Sequence, residues 1–332
     1  MYYVLSDNSN WVISEISNEL CNLNKSNYDN KLFSKQSDLF LFKKKVHYLD
    51  AYKFINKKIY FNKCTVSYFH GYPNNSLKKS LSNKFNNIVK LKNNFEYLHV
   101  SHNKMKFFFL DNGISSEKII QIPICIDSKY LKPLDKTKNQ LRKKYNLPKE
   151  SFIIGSFQKD GNGWDKGLDP KLEKGPDIFI RTIKLLKKQV KEIFILLSGP
   201  SRGYIIKELN ALGVKFLYVN LDKYEQIFEL YNCIDIYLVT AREEGGPRAI
   251  LECLSQHIPI VSTPVGQAYD MLKNSFYLSE SFDEEELADK VYKYYILDQN
   301  SKNQLLNFGY NIASNNTYIA HKKKWEKLLF SN

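Results

Sequence analysis

Two glutamates, Glu244 and Glu252, stand eight positions apart in TAREEGGPRAILEC (240–253), with Gly245, Gly246 and Pro247 between them. Glycines let a backbone approach a ligand closely and take conformations closed to residues with a Cβ. Proline suits the first position of a helix, where its missing N–H would be unpaired anyway. Together these residues describe a loop running into a helix from Pro247, with free amides at the helix start, and such a terminus is a ready anion site for a phosphate. On that helix Glu252 lies nearly two turns in, whereas Glu244 stays in the loop ahead of it. Carboxylates beside a phosphate are poor phosphate ligands but good acceptors for sugar hydroxyls, a combination that fits a nucleotide sugar. The same residues also suit a plain capped helix, with Glu244 complementing the macrodipole and Glu252 in solvent.

The elements that must position this stretch are legible from residue 151 onward. Short β-branched or aromatic runs, SFIIGSF, EIFILLSG, VKFLYV, DIYLVT, IPIVST and SFYLS, alternate with helical patterns at 176–190, 201–212, 223–232, 247–256 and 267–273. That alternation predicts βαβ units and a parallel sheet. Thr240 to Gly246 directly follows the run DIYLVT, and ligands of open parallel sheets bind outside the carboxyl ends of the strands. Three further helical patterns follow at roughly 283–298, 301–313 and 315–330, the last with Trp325, Leu328 and Leu329 on one stripe.

In the N-terminal half, Asn and Lys blur the periodicity, and DLFLFKK, TVSYFHG, YLHVSH and IIQIPI are the strand candidates. A second, smaller α/β domain is expected there, joined through the polar segment DSKYLKPLDKTKNQLRKKYNLPKES, which is helical in pattern only near 137–145. The division expected is 1–135, 136–312 and a C-terminal helix at 313–332.

A length of 332 residues with 43% apolar and 25% charged composition fits two globular domains. No apolar run approaches the ~20 residues of a membrane-spanning helix, and the first twenty residues lack a basic n-region and a cleavage site, so a cytoplasmic protein is expected. Cys21, Cys64, Cys125, Cys233 and Cys253 are scattered, without a C-x-x-C, and suggest core residues in place of disulfides or a zinc site. The net charge of +14 favours polyanions, an anionic membrane surface or an acidic saccharide. It is too dispersed, and too poor in any basic–aromatic module, for nucleic acid to be the expected partner. A nicotinamide site is not expected either, because GNG at 161–163 lacks the third glycine and the strand-to-helix context.

In this setting Glu244, Gly245, Gly246, Pro247, Leu251 and Glu252 resemble the E-x7-E signature of the retaining family 4 glycosyltransferases, whose fold is GT-B. Other landmarks keep their order: LHVSHNKMKFFFLDNGISSEKIIQIPICIDSKYLKP (98–133), LYVNLDKYEQIFELYNCIDIYLVTAREEGGP and HIPIVSTPVG. The resemblance covers roughly residues 64 to 330. It implies two Rossmann-like domains facing a cleft, with a C-terminal helix returning to the first. It further implies transfer of a sugar from a nucleotide diphosphate sugar to a glycan or lipid-linked acceptor, with retention, without a metal or a cofactor. An epimerase acting on the same donor and a non-catalytic donor-binding relative remain open.

Carried onto this chain, the resemblance implies that Glu244 sits by the donor sugar, with the Gly245 and Gly246 amides at sugar or phosphates. Glu252 would bind the ribose hydroxyls, and Lys174, in EKGPDIF, would neutralise the diphosphate leaving group. His70, in TVSYFHGYPNNS, matches the histidine that faces the reaction centre from the other lobe; it also suits a satisfied loop histidine. Gly199, Val219 and Asn220 fall where the nucleotide is held. Ser156 stands where the family carries an arginine; either Lys159 substitutes for it or the insertion between Gly155 and Lys174 forms its own phosphate or acceptor loop.

Overall fold

The computed structural model describes residues 2–5, 12–23, 31–33, 45–56, 64–73, 79–163 and 166–330. The expected strand DLFLFKK lies outside them. The chain divides into two compact units, one of residues 1–127 with 316–332 and one of residues 128–315.

The first unit is built on β1 (Tyr2–Leu5), α1 (Val12–Asn22), β2 (Lys31–Phe33), β3 (Lys45–Tyr48), α2 (Ala51–Ile55), β4 (Cys64–Tyr68), α3 (Lys79–Lys90), β5 (Tyr97–Val100), α4 (Asn103–Asp111) and β6 (Ile119–Gln121). All strand pairs are parallel, in the order β2-β1-β3-β4-β5-β6. Every residue of β4 is buried, as a central strand covered on both faces requires. The sheet's interior carries a polar chain as well. Thr65 Oγ1 lies 2.8 Å from His47 Nδ1, His47 Nε2 lies 3.1 Å from Ser67 Oγ, and Ser67 Oγ lies 2.8 Å from His99 Nδ1. His99 Nε2 is 2.7 Å from the Ile122 carbonyl, which only accepts, so Nε2 holds the proton and the hydroxyls and imidazoles line up in one direction. Burial drives both imidazoles far below their ordinary range, His47 to about 3 and His99 to about 4.

The second unit opens with α5 (Lys138–Lys144), started by a capping box between Thr137 and Gln140. Then come β7 (Phe152–Phe157), α6 (Pro176–Leu186), β8 (Ile193–Ser198), α7 (Gly203–Leu212), β9 (Lys215–Val219), α8 (Gln226–Cys233), β10 (Ile236–Val239), α9 (Ala249–Ser255), β11 (Ile260–Ser262), α10 (Gln267–Leu272), α11 (Glu284–Ile296) and α12 (Gln299–Asn315). The parallel sheet runs β11-β10-β7-β8-β9. From β7 the chain winds outward to β9, then returns to β7's other side with β10, so the topological switch lies between β7 and β10. The expected sixth strand, SFYLS, is not formed. A turn at Asn274 (φ 62°) leaves a single parallel bridge between Leu278 and Ser262.

The helix expected over 315–330 is also shorter. Thr317 is taken up in a bridge with Ile126, and α13 spans only Lys322–Phe330. It packs within the first unit, where Trp325, Leu328 and Leu329 join Val4, Ile16, Leu20 and Ile122 in one core. The Trp325 and His99 rings meet edge to face at 4.9 Å. Among the described residues, no helix is long and apolar enough to cross a membrane.

Candidate active site

The switch point places two loops of the second unit side by side: 158–175 after β7 and 240–248 after β10. Backbone bonds lace them together. The Arg242 and Glu243 amides donate to the Glu173 carbonyl at 2.9 and 3.1 Å, and Thr240 Oγ1 donates to the Gly175 carbonyl at 2.9 Å. Arg242 also grips Asp177 through both carboxylate oxygens, at 2.7 and 2.6 Å. Burial works against the Asp177 charge, but hydrogen bonds from Arg242 and Arg181 outweigh it and hold this carboxyl below its usual range.

Gly175 makes that close approach possible. Its φ is +64°, and a Cβ there would collide with the Thr240 carbonyl oxygen. It also opens α6, with Pro176 at the first helical position. The proline-at-the-start rule therefore applies at Pro176. At α9 the helix begins at Ala249, two residues beyond Pro247, so Glu252 falls in its first turn and not two turns in. Neither Gly245 nor Gly246 has positive φ. What demands glycine at 246 is space, because a Cβ there would run into the Gln267 side chain. Gly266, with φ +51°, is packed on the Glu244 and Gly245 carbonyls.

Lys174 and Glu244, seventy residues apart, meet across these loops in an ion pair, with side chains 22% and 17% exposed. Gln158 Nε2 donates to the Lys174 carbonyl at 3.2 Å, tying the pair to the end of β7. Glu252 is 3% exposed. It accepts from the hydroxyls of Tyr224 and of Tyr231, the latter at 2.7 Å, and lies 3.0 Å from Arg248 Nε. Burial, with the Glu252 charge adding to it, raises both phenols well above their ordinary range and keeps them as donors.

Ser156 is buried, its Oγ accepting from Arg202 Nη2 at 3.0 Å. Arg202 is buried too, and its Nη1 donates to the carbonyls of Ser156, Gln158 and Ser198 at 2.7, 2.8 and 2.7 Å. Its Nη2 lies 3.1 Å from Asp160 Oδ2, and burial, opposed by that guanidinium, lifts the Asp160 carboxyl to about 6. This arginine thus knits the carboxyl ends of β7 and β8 from within. Lys159 stands half-buried between Gln158 and Asp160. Gly199 turns with φ +89° against the Gln158 backbone and accepts from Tyr218 at 3.0 Å. Val219 closes β9 opposite Ser198, and Asn220 is exposed just beyond it.

His70 belongs to the first unit. Its Nε2 lies 2.7 Å from Lys84 Nζ. An ammonium only donates, so Nε2 accepts and the ring proton sits on Nδ1.

Sequence reasoning missed Tyr224, Tyr231, Arg248, Arg202 and the Arg242–Asp177 pair. Arg202 carried a signal, since the run GPSR follows strand β8 at the edge where ligands bind. The two tyrosines carried none.

Residues 170–312 match the family described as Glycosyl transferases group 1. No curated protein matches the chain. Among solved structures, Anabaena Alr3699/HepE in complex with UDP-glucose is similar at a TM-score of 0.71 and 16% identity, covering 99% of both chains. A glycosyltransferase from Rickettsia africae ESF-5 is similar at 0.68 and 16% identity, covering 100% of this chain and 99% of that one. Staphylococcus aureus TarM, solved with UDP, fondaparinux and alpha-GlcNAc-glycerol, is similar at 0.63 and 15% identity over 87% of this chain, which spans 55% of TarM's length. The fold is GT-B, as the likeness to these structures shows, and the match to the group 1 glycosyltransferases covers residues 170–312.

Proposed function

We propose that the chain is a glycosyltransferase that moves a sugar from a nucleotide diphosphate sugar to a glycan or lipid-linked acceptor, retaining the anomeric configuration and using no metal. The observation that carries this reading is the Lys174–Glu244 pair at the switch point, with Glu252 in the first turn of α9, the helix that follows the Glu244 loop. In the proposed reaction the bond from the anomeric carbon to the phosphate oxygen breaks as the acceptor oxygen attacks from the same face. The acceptor's proton leaves on the departing phosphate. Lys174 stabilises the charge that develops there, a placed cation doing the work that a divalent ion does elsewhere. Glu244 receives the sugar hydroxyls, Glu252 the ribose, and His70 serves the acceptor side.

Charge supports an anionic acceptor or an anionic membrane surface as the first unit's partner. That unit carries 22 Lys and Arg against 11 Asp and Glu, whereas the second carries 27 against 24. The deciding experiment is a thermal-shift screen of nucleotide diphosphate sugars, beginning with UDP-glucose, followed by NMR of the products with and without EDTA. An α-linked product from an α-linked donor, formed equally in EDTA, is expected. A new free nucleotide sugar from donor alone would point to epimerisation, and strict dependence on added Mn²⁺ would overturn the metal-free mechanism.

A further inference from the structure

Glu252 is already well supplied with donors by the chain itself. Its Oε2 accepts from Tyr231, which is fully buried on α8, packed against Phe157 at 5.1 Å and Tyr237 at 5.6 Å, and has no room to move. Its Oε1 accepts from Tyr224 and pairs with Arg248. Tyr224 is the less enclosed of the two. It sits on the turn after β9, five residues past Val219, and is only half-buried. Its ring stands edge-on to Tyr130 and Phe228 at 6.1 and 5.9 Å, and the Arg248 guanidinium lies 4.7 Å from its centroid. Oε1 therefore holds the Tyr224 hydroxyl by a hydrogen bond and has the Arg248 guanidinium beside it as an ion pair at 3.0 Å, so an incoming hydroxyl meets an oxygen already engaged.

We infer that the Tyr224 hydroxyl and a ribose hydroxyl compete for Glu252 Oε1, so that Tyr224 sets the nucleotide affinity of this site by having to yield its hydrogen bond. The inference rests on the proposed role of Glu252 as the ribose acceptor. Binding of a ribonucleotide then exchanges one donor on Oε1 for another, and the Tyr224 ring, with Arg248 stacked on it, turns away from the carboxylate. Tyr231 keeps its hold on Oε2 throughout and fixes the carboxylate plane for the incoming diol.

The experiment is titration calorimetry of the full chain with UDP, ADP and GDP and with their 2′,3′-dideoxy counterparts, on the parent protein, Tyr224→Phe and Tyr231→Phe. Phenylalanine at 224 keeps the ring and its stack on Arg248 but cannot donate, and unchanged thermal melting confirms that the fold is intact. The tightest ribonucleotide is expected to bind Tyr224→Phe roughly tenfold more strongly than the parent, because a hydrogen bond to a charged group no longer has to be given up. Its dideoxy counterpart gains nothing, and Tyr231→Phe weakens the ribonucleotide. Unchanged or weaker ribonucleotide binding by Tyr224→Phe, while the parent still prefers ribose over dideoxyribose, overturns the competition and leaves the role of Glu252 standing. A parent protein that binds both sugars equally, or none of the nucleotides, overturns the Glu252 reading and the inference with it.

Discussion

Lys174 Nζ and the Glu244 carboxylate form an ion pair that joins the loop after β7 to the loop after β10. The two side chains come from segments seventy residues apart, yet both loops start at neighbouring strands, and the close approach at Gly175 completes what the sheet order begins. In the proposed reaction this cation is positioned before the diphosphate arrives and need only change partners to meet it.

Lys174→Ala is therefore expected to lower kcat/KM about 100- to 1000-fold, the range typical for loss of one preorganised electrostatic contact in a transition state. The fall should lie mostly in kcat. Steady-state rates with the donor identified by the screen check it, and a variant with full activity would remove Lys174 from the leaving-group role.

Gly175→Ala places a side chain in a left-handed conformation and against the Thr240 carbonyl at once. Strain of this kind costs about 1–3 kcal/mol for the backbone alone, and the collision adds to it. Urea unfolding should show a loss of that order, with the midpoint of the second unit moving and the Lys174–Glu244 geometry disturbed. A fully stable Gly175→Ala would mean that the two loops part easily.

Acid should loosen the first unit. His47 and His99 are held neutral by burial, with folded pKa values of about 3 and 4 against 6.5 unfolded. Below pH 6.5 the unfolded chain binds protons that the folded one refuses, so stability falls as pH drops, by a slope approaching about 1.4 kcal/mol per pH unit for each histidine. Melting followed by tryptophan emission in a chain whose other two tryptophans are replaced, leaving Trp325 against His99, should shift to lower temperature between pH 7 and pH 5. A flat profile across that window would argue that the imidazoles are not buried as a neutral chain.

Much of the second unit was legible because its strands are near-continuous apolar runs and its helices carry clear breaks. SFYLS looked the same in composition, but a strand needs a partner over several residues, and the turn at Asn274 allows it only one bridge. In the first unit β1, β2 and β3 escaped notice. KLF and KVHY are three and four residues long, and a period of two cannot be read from so few positions. The carboxylate stretch announced itself by spacing, whereas Lys174 entered only through the resemblance of EKGPDIF to the family's pattern. The proline rule was sound but pointed to Pro247 when the helix start it marks is at Pro176. Tyr224 and Tyr231 were invisible, because a hydroxyl that reaches a carboxylate from twenty-one or twenty-eight residues away leaves no local pattern.

The first unit is assembled from the two ends of the chain. Its core draws Val4, Ile16 and Leu20 from the start and Trp325, Leu328 and Leu329 from residues 316–330, with all of the second unit made in between. Domains commonly fold in the order in which they are synthesised. Here that order is inverted: on the ribosome the second unit has its whole sequence before the first does, and the core around Ile120 and Ile122 is complete only when Trp325, Leu328 and Leu329 arrive. A helix translated after the whole of the second unit thus closes the domain begun before it, and the interval between them is the synthesis time of 188 residues.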